Sequence, residues 1–209
     1  MSIPANHIME WESTYSADSS RHKNYWPSEF VVSYVKRNIS IVLSEQRGGS
    51  IRVLDIGCGW GNNLRFLLRE KFDAYGIDYT ESAISALKEE FGDRVQVADA
   101  RKIPFADDTF DLVIDRSSIQ HNPKEHLSEI YREVIRVLKR DTGRFFSISV
   151  KDGDNGYLLT RLTRSEIDTY LSGFVLIEVN TQTITRDHGK QSHSNWIVDA
   201  SLGLNKPRV

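Results

Sequence analysis

The chain has 209 residues, 27 of them Lys or Arg and 29 Asp or Glu. Its formal net charge of -2 makes no electrostatic case for a nucleic-acid partner. One cysteine excludes an internal disulfide framework and suits a reducing cytosol. No apolar stretch approaches a membrane span, and Met1 to Glu10 lacks the basic start and apolar centre of a signal peptide. A cytoplasmic protein without a membrane partner is therefore expected. The length suits one α/β domain with a full core.

The elements follow in chain order. A polar N-terminal segment interleaves Trp11, Tyr15, Tyr25 and Trp26 with Glu12, Ser13, His22 and Lys23. Pro27 to Glu45 then reads as a helix, with Ser28 near its start and Gly48-Gly49 beyond its end. Strands are predicted near 51–56, 73–77, 94–98, 111–115, 143–150, 174–180 and 194–202. Helices fill the gaps at about 62–70, 80–91 with Thr80 as cap, and 124–139; a further one covers Arg164 to Leu171. Alternation of this kind predicts a mostly parallel sheet of seven strands with helices on both faces. Arg132, Arg136, Lys139 and Arg140 lie at helical spacing opposite Leu127, Ile130, Val134 and Leu138, which reads as a solvated face.

Within this frame Val53-Leu54-Asp55-Ile56-Gly57-Cys58-Gly59-Trp60-Gly61 is a strand breaking into a glycine turn, with a helix directly behind it. Such a turn lets backbone approach an adenosine-type ligand. The dinucleotide fingerprint needs glycine at its sixth position, and Asn62 stands there instead, which weakens an NAD-linked reading. Ala74-Tyr75-Gly76-Ile77-Asp78 is a second strand ending in an acid, placed where such folds hold ribose hydroxyls. Val95-Gln96-Val97-Ala98-Asp99-Ala100 is a third. Each acid also has a bland reading as a turn residue.

The glycine turn headed by Asp55 resembles motif I of the class I S-adenosylmethionine-dependent methyltransferases. The run Ile103-Pro104-Phe105-Ala106-Asp107-Asp108-Thr109-Phe110-Asp111-Leu112-Val113 resembles the signature of their type 11 group. The likeness covers about Ile51 to Val150. It implies a Rossmann-like class I fold closing in an antiparallel terminal hairpin. It also implies a single methyltransferase domain over 1–209, with an N-terminal lid and helix over 1–48 and the core over 49–203. S-adenosyl-L-methionine becomes the expected cofactor and S-adenosyl-L-homocysteine the product. Carried onto this chain, the cofactor site comprises Asp55, Gly57, Cys58, Gly59, Gly61, Asn62, Asp78, Tyr79, Asp99, Ala100 and Asp115. In the family the acid at Asp99's place accepts from the adenine amino group. The Cys58 side chain reads as core filling; Trp60 either covers the cofactor or packs on a neighbour.

Methyl transfer needs an acceptor aligned on a sulfonium carbon and, for a hydroxyl, a base. His121, after the fourth strand, is the expected base, although a loop-orienting role is open. Trp11, Tyr15, Tyr25 and Trp26 are the expected substrate residues, in a lid that excludes water; docking of the next helix is the alternative. Lys151 to Arg164, with Asp152, Gly153, Asp154, Asn155 and Tyr157, is a second possible wall. His188 and His193 are placed in a polar connection between the last strands. Asp115, Asp152, Asp154 and Asn155 only loosely resemble a magnesium site, and no metal is expected. The lone cysteine's position in the turn argues against cysteine-nucleophile chemistry. The reading is a methyltransferase acting on a small-molecule acceptor, at oxygen. A protein methyltransferase and a SAM-binding regulatory protein are the alternatives.

Overall fold

In the computed structural model, residues 5–16, 25–39, 50–152, 159–186 and 191–203 are described. The strands are β1 (Arg52–Ile56), β2 (Asp73–Asp78), β3 (Val95–Val97), β4 (Leu112–Arg116), β5 (Arg144–Asp152), β6 (Leu176–Arg186) and β7 (Gln191–Ser201). They form one seven-stranded sheet in the order β3-β2-β1-β4-β5-β7-β6. The helices are α1 (Ala5–Tyr15), α2 (Glu29–Tyr34), α3 (Asn62–Arg69), α4 (Glu81–Phe91), α5 (Leu127–Val137) and α6 (Arg164–Tyr170). Two compact units divide the chain, Met1–Pro104 with Lys206–Val209, and Phe105–Asn205.

In the first unit β1 and β3 flank β2, all parallel, with Asp55 opposite Gly76 and Asp78 opposite Val97. Gly76 is required by packing. A Cβ there would lie 2.9 Å from both Cβ and Sγ of Cys58, so the glycine turn folds tightly onto β2. At the start of the strands Arg52 and Arg94 pair with Asp73 at 3.0 and 2.7 Å. α1 is a helix where only a polar segment was expected. The predicted helix from 27 is α2, continued by a π-helical turn over Val35–Ile39; the rest of the prediction, residues 40–45, lies outside the described residues.

In the second unit β4 and β5 are parallel, β5 and β7 antiparallel, and β6 and β7 an antiparallel hairpin. The type 11 signature proves to be a fastening. Amides of Thr109 and Phe110 donate to Val137 O at 2.9 Å each, and the Phe110 ring meets Phe105 edge-on at 4.9 Å. Buried Asp111 receives Lys139 Nζ at 2.7 Å, while Arg136 bonds Glu133, Asp107 and Phe105 O. Two of the four basic residues read as a solvated face thus hold this loop. The helix predicted over 124–139 begins as a 3-10 turn, Lys124–His126, and ends where Leu138 turns extended to bridge Phe110. β6 runs six residues past its predicted end at 180, because the polar Thr-rich stretch pairs fully with β7. His193 therefore lies in β7 opposite Ile184, not in a connection. His188 lies outside the described residues.

Candidate active site

The glycine turn puts Gly57, Gly59 and Gly61 at φ 68°, 48° and 71°, a region that side chains disfavour. Gly61 is there for packing as well: a Cβ would come within 2.9 Å of Phe91 and 3.2 Å of Leu87. Gly57 and Cys58 amides both donate to Ile77 O, at 2.8 and 3.0 Å, tying the turn to the end of β2. Asp55 is buried below it. Burial pushes the Cys58 thiol well above its ordinary pKa, with Asp78 and Asp55 adding to the effect. A buried, neutral thiol fits the core-filling reading.

Asp78 is the hub of the first unit. Its Oδ2 accepts from Gly59 N at 3.0 Å, and its Oδ1 accepts from Thr80 N at 3.0 Å and Thr80 Oγ1 at 2.7 Å. It is only 6% exposed, and burial raises its carboxyl above the usual range against those three bonds. Beside it the Tyr79 hydroxyl is buried with no hydrogen-bond partner among the described residues. Burial and the charge of Asp78 push that phenol up. Asp99 stands half-buried after β3, where Arg101 grips it: Nε lies 3.1 and 2.9 Å from the two oxygens and Nη2 2.5 Å from Oδ2. Ala100 forms the turn between these two residues. The guanidinium thus already engages the carboxylate expected at adenine, and the Asp-x-Arg spacing could have signalled it.

Thr80 occupies the N-cap position of α4 but makes no cap, because its hydroxyl is committed to Asp78. The capping group comes from α1. Glu12 Oε1 accepts from Glu81 N at 2.7 Å, and Oε2 accepts from Ser82 N at 3.1 Å and Ser82 Oγ at 2.5 Å. Burial works against the charge, yet the Ser82 hydroxyl and the two amides prevail and hold Glu12 below its ordinary value. One turn along α1, Tyr15 stacks on Trp11 at 6.0 Å and meets Trp60 edge-on at 5.2 Å. Its hydroxyl fills the space in front of Gly59, where a Cβ would lie 2.6 Å away. Trp60 thus packs on a neighbour.

The four expected substrate aromatics separate into two pairs. Tyr15 packs on the glycine turn, with Trp11 stacked on its ring. Tyr25 and Trp26 are 60% and 80% exposed, in a segment anchored to α3 by Asn62 Nδ2 on Trp26 O at 3.1 Å. Asn62 thereby serves chain geometry here, and Arg65 lies over the Tyr25 ring at 5.0 Å.

In the second unit Asp115 is buried, 1% exposed, at the end of β4. Oδ1 accepts from the amides of Ser118 at 2.8 Å and Ile119 at 3.0 Å, and Oδ2 accepts from Ser147 Oγ at 2.7 Å. Burial raises its pKa against these bonds. The carboxylate is turned inward, organising the loop. Ser117 in that loop adopts φ 61°, unusual for a residue with a side chain, and its amide donates to Ile148 O at 2.8 Å. Gln120 Oε1 accepts from Val150 N at 2.6 Å. His121 follows in a 3-10 turn, half-buried. Of the second expected wall, Gly153, Asp154, Asn155 and Tyr157 lie outside the described residues, and nothing is described of the Asp152 side chain.

A parallel sheet closing in an antiparallel pair, with a glycine turn after its first strand, defines the Rossmann-like methyltransferase class. The "Methyltransferase domain" family matches residues 53–141, and over this stretch the chain is similar to class I SAM-dependent methyltransferases. It is 30% identical over 129 residues to a probable tRNA methyltransferase 9B of Bos taurus, covering 61% of this chain and 25% of that one. It is also 30% identical over 132 residues to the 27-O-demethylrifamycin SV methyltransferase of Amycolatopsis mediterranei, covering 56% and 47%. The chain spans less than half the length of these curated relatives. Among solved structures, a Haemonchus contortus phosphoethanolamine N-methyltransferase in complex with phosphomonomethylethanolamine and S-adenosylhomocysteine matches in fold. Its TM-score is 0.58 at 17% identity, covering 85% of this chain and 57% of that one. No described helix is long and apolar enough to cross a membrane.

Proposed function

We propose that the protein transfers a methyl group from S-adenosyl-L-methionine to a hydroxyl oxygen of a small molecule, releasing S-adenosyl-L-homocysteine. The observation that carries the reading is the joining of the glycine turn to Asp78, through Gly59 N on Oδ2 at 3.0 Å. That bond ties a backbone cradle to an acid whose chemistry suits ribose hydroxyls. The buried Tyr79 hydroxyl without a partner among the described residues fits a polar ligand at the same strand end. Asp55, Gly57, Cys58, Gly59, Gly61 and Asn62 would form the cradle, Cys58 through its backbone. Asp78 and Tyr79 would face the nucleoside, and Asp99 and Ala100 the base. The cofactor supplies a sulfonium-bound methyl that is already electrophilic.

The chain's own task is then to orient the acceptor and remove its proton. Asp115 fixes the loop through the Ser118 and Ile119 amides, and so holds His121, to which we assign the acceptor's proton. A small molecule is favoured over tRNA by the formal net charge of -2 and by the commitment of Arg136 and Lys139 to internal carboxylates. Incubation with S-adenosylmethionine and panels of hydroxylated small molecules, amines, peptides and tRNA tests this. S-adenosylhomocysteine should accumulate with a hydroxylated small molecule; release driven by tRNA or peptide would reject the acceptor class. Ligand binding without product across every panel would favour a regulatory protein.

A further inference from the structure

We propose that α1 is a plug in the cofactor cradle, latched by Glu12, and that an adenosyl ligand enters only when α1 lifts. The inference rests on the cofactor reading above. Three observations carry it. The Tyr15 hydroxyl occupies the space directly in front of Gly59, the middle residue of the cradle. Asp78, the intended ribose partner, is almost fully buried, with Gly59 N and Thr80 on its oxygens. Those bonds belong to the cradle itself; the part of α1 next to Asp78 is Tyr15, close enough to feel its charge. Tyr15 itself is mostly buried there, its phenol pushed up first by burial and then by the charge of Asp78.

The third observation is the latch. Glu12 bonds two α4 amides and the Ser82 hydroxyl, and Ser82 Oγ also lies 3.2 Å from the Glu12 carbonyl. Elsewhere on α1 Met9, Glu10 and Ser13 are exposed. Tyr15, backed by Trp11, and Glu12 are contacts by which α1 docks. This is a two-state element in which cofactor and helix compete for one surface. Its signature is inverted: weakening a contact in the protein should strengthen binding, since apparent affinity scales with the open fraction. A cover closing over bound cofactor would do the opposite.

Titration of the full chain with S-adenosylhomocysteine, read by calorimetry and by intrinsic tryptophan fluorescence, distinguishes these. Glu12→Gln should lower Kd by about tenfold, as expected if α1 is lifted in roughly a tenth of wild-type molecules, and should raise the association rate. Ser82→Ala should act in the same direction with a smaller effect, and Tyr15→Ala provides an independent variant in which the latch is intact. Equal or weaker binding by Glu12→Gln and Tyr15→Ala would overturn the plug while leaving the cofactor reading standing. Absence of binding by wild type and by all variants, each folded by circular dichroism, would overturn the cofactor reading and the plug with it.

Discussion

Asp78 and Asp115 are both strand-end acids, and the sequence offers no means of telling them apart. Their surroundings do. Asp78 is bonded to the cradle's own backbone, and Asp115 to the amides of the loop that follows it. Asp78→Ala should weaken S-adenosylhomocysteine binding by about ten- to a hundredfold, measured by calorimetry. Asp115→Ala should instead cost stability, by about 1–3 kcal/mol for stranded buried donors, measured by denaturant unfolding. His121→Ala should leave cofactor affinity intact and lower turnover by roughly 10²-fold or more, in the range of a lost general base; initial rates on the identified acceptor check this. The glycine turn and the two acids after β2 and β3 were legible because their signals are local. Glu12 was not, since its partners lie about seventy positions on, and only folding reveals that Thr80 has spent its hydroxyl on Asp78.

Among the elements, α6 shows how much a short helix depends on its ends. Thr163 and Glu166 form a reciprocal capping box, and Glu166 also pairs with Lys124. Lys124 first, then Thr163, draw the Glu166 carboxyl down to about 2 from 4.5. A depressed folded value means the contribution is complete above pH 4.5 and is lost as pH falls from there toward 2. Glu166→Gln should therefore flatten the acid limb of a stability profile over that window. The change should be small and shrink with added salt, because the pair is exposed. Most element positions were readable from periodicity. The failures share a cause: α1 has too little apolar patterning to announce itself, and the Thr-rich end of β6 gains its strand identity from pairing with β7.

For the whole molecule, ligand linkage gives the broadest test. S-adenosylhomocysteine at a hundred times its dissociation constant should add about 2.7 kcal/mol. For a chain of this size that raises Tm by roughly 5–10 °C; NAD⁺ should leave Tm unmoved. A shift with NAD⁺ in place of the adenosyl ligand would overturn the cofactor assignment.

The fastening of α5 by residues 105–111 has an evolutionary consequence. Phe105, Phe110, Asp111 and Lys139 secure a helix against a loop through contacts with one another. Substitutions in α1 or in the terminal hairpin leave those contacts in place. A lineage can therefore change residues elsewhere in the chain while inheriting this loop and helix as one fixed unit.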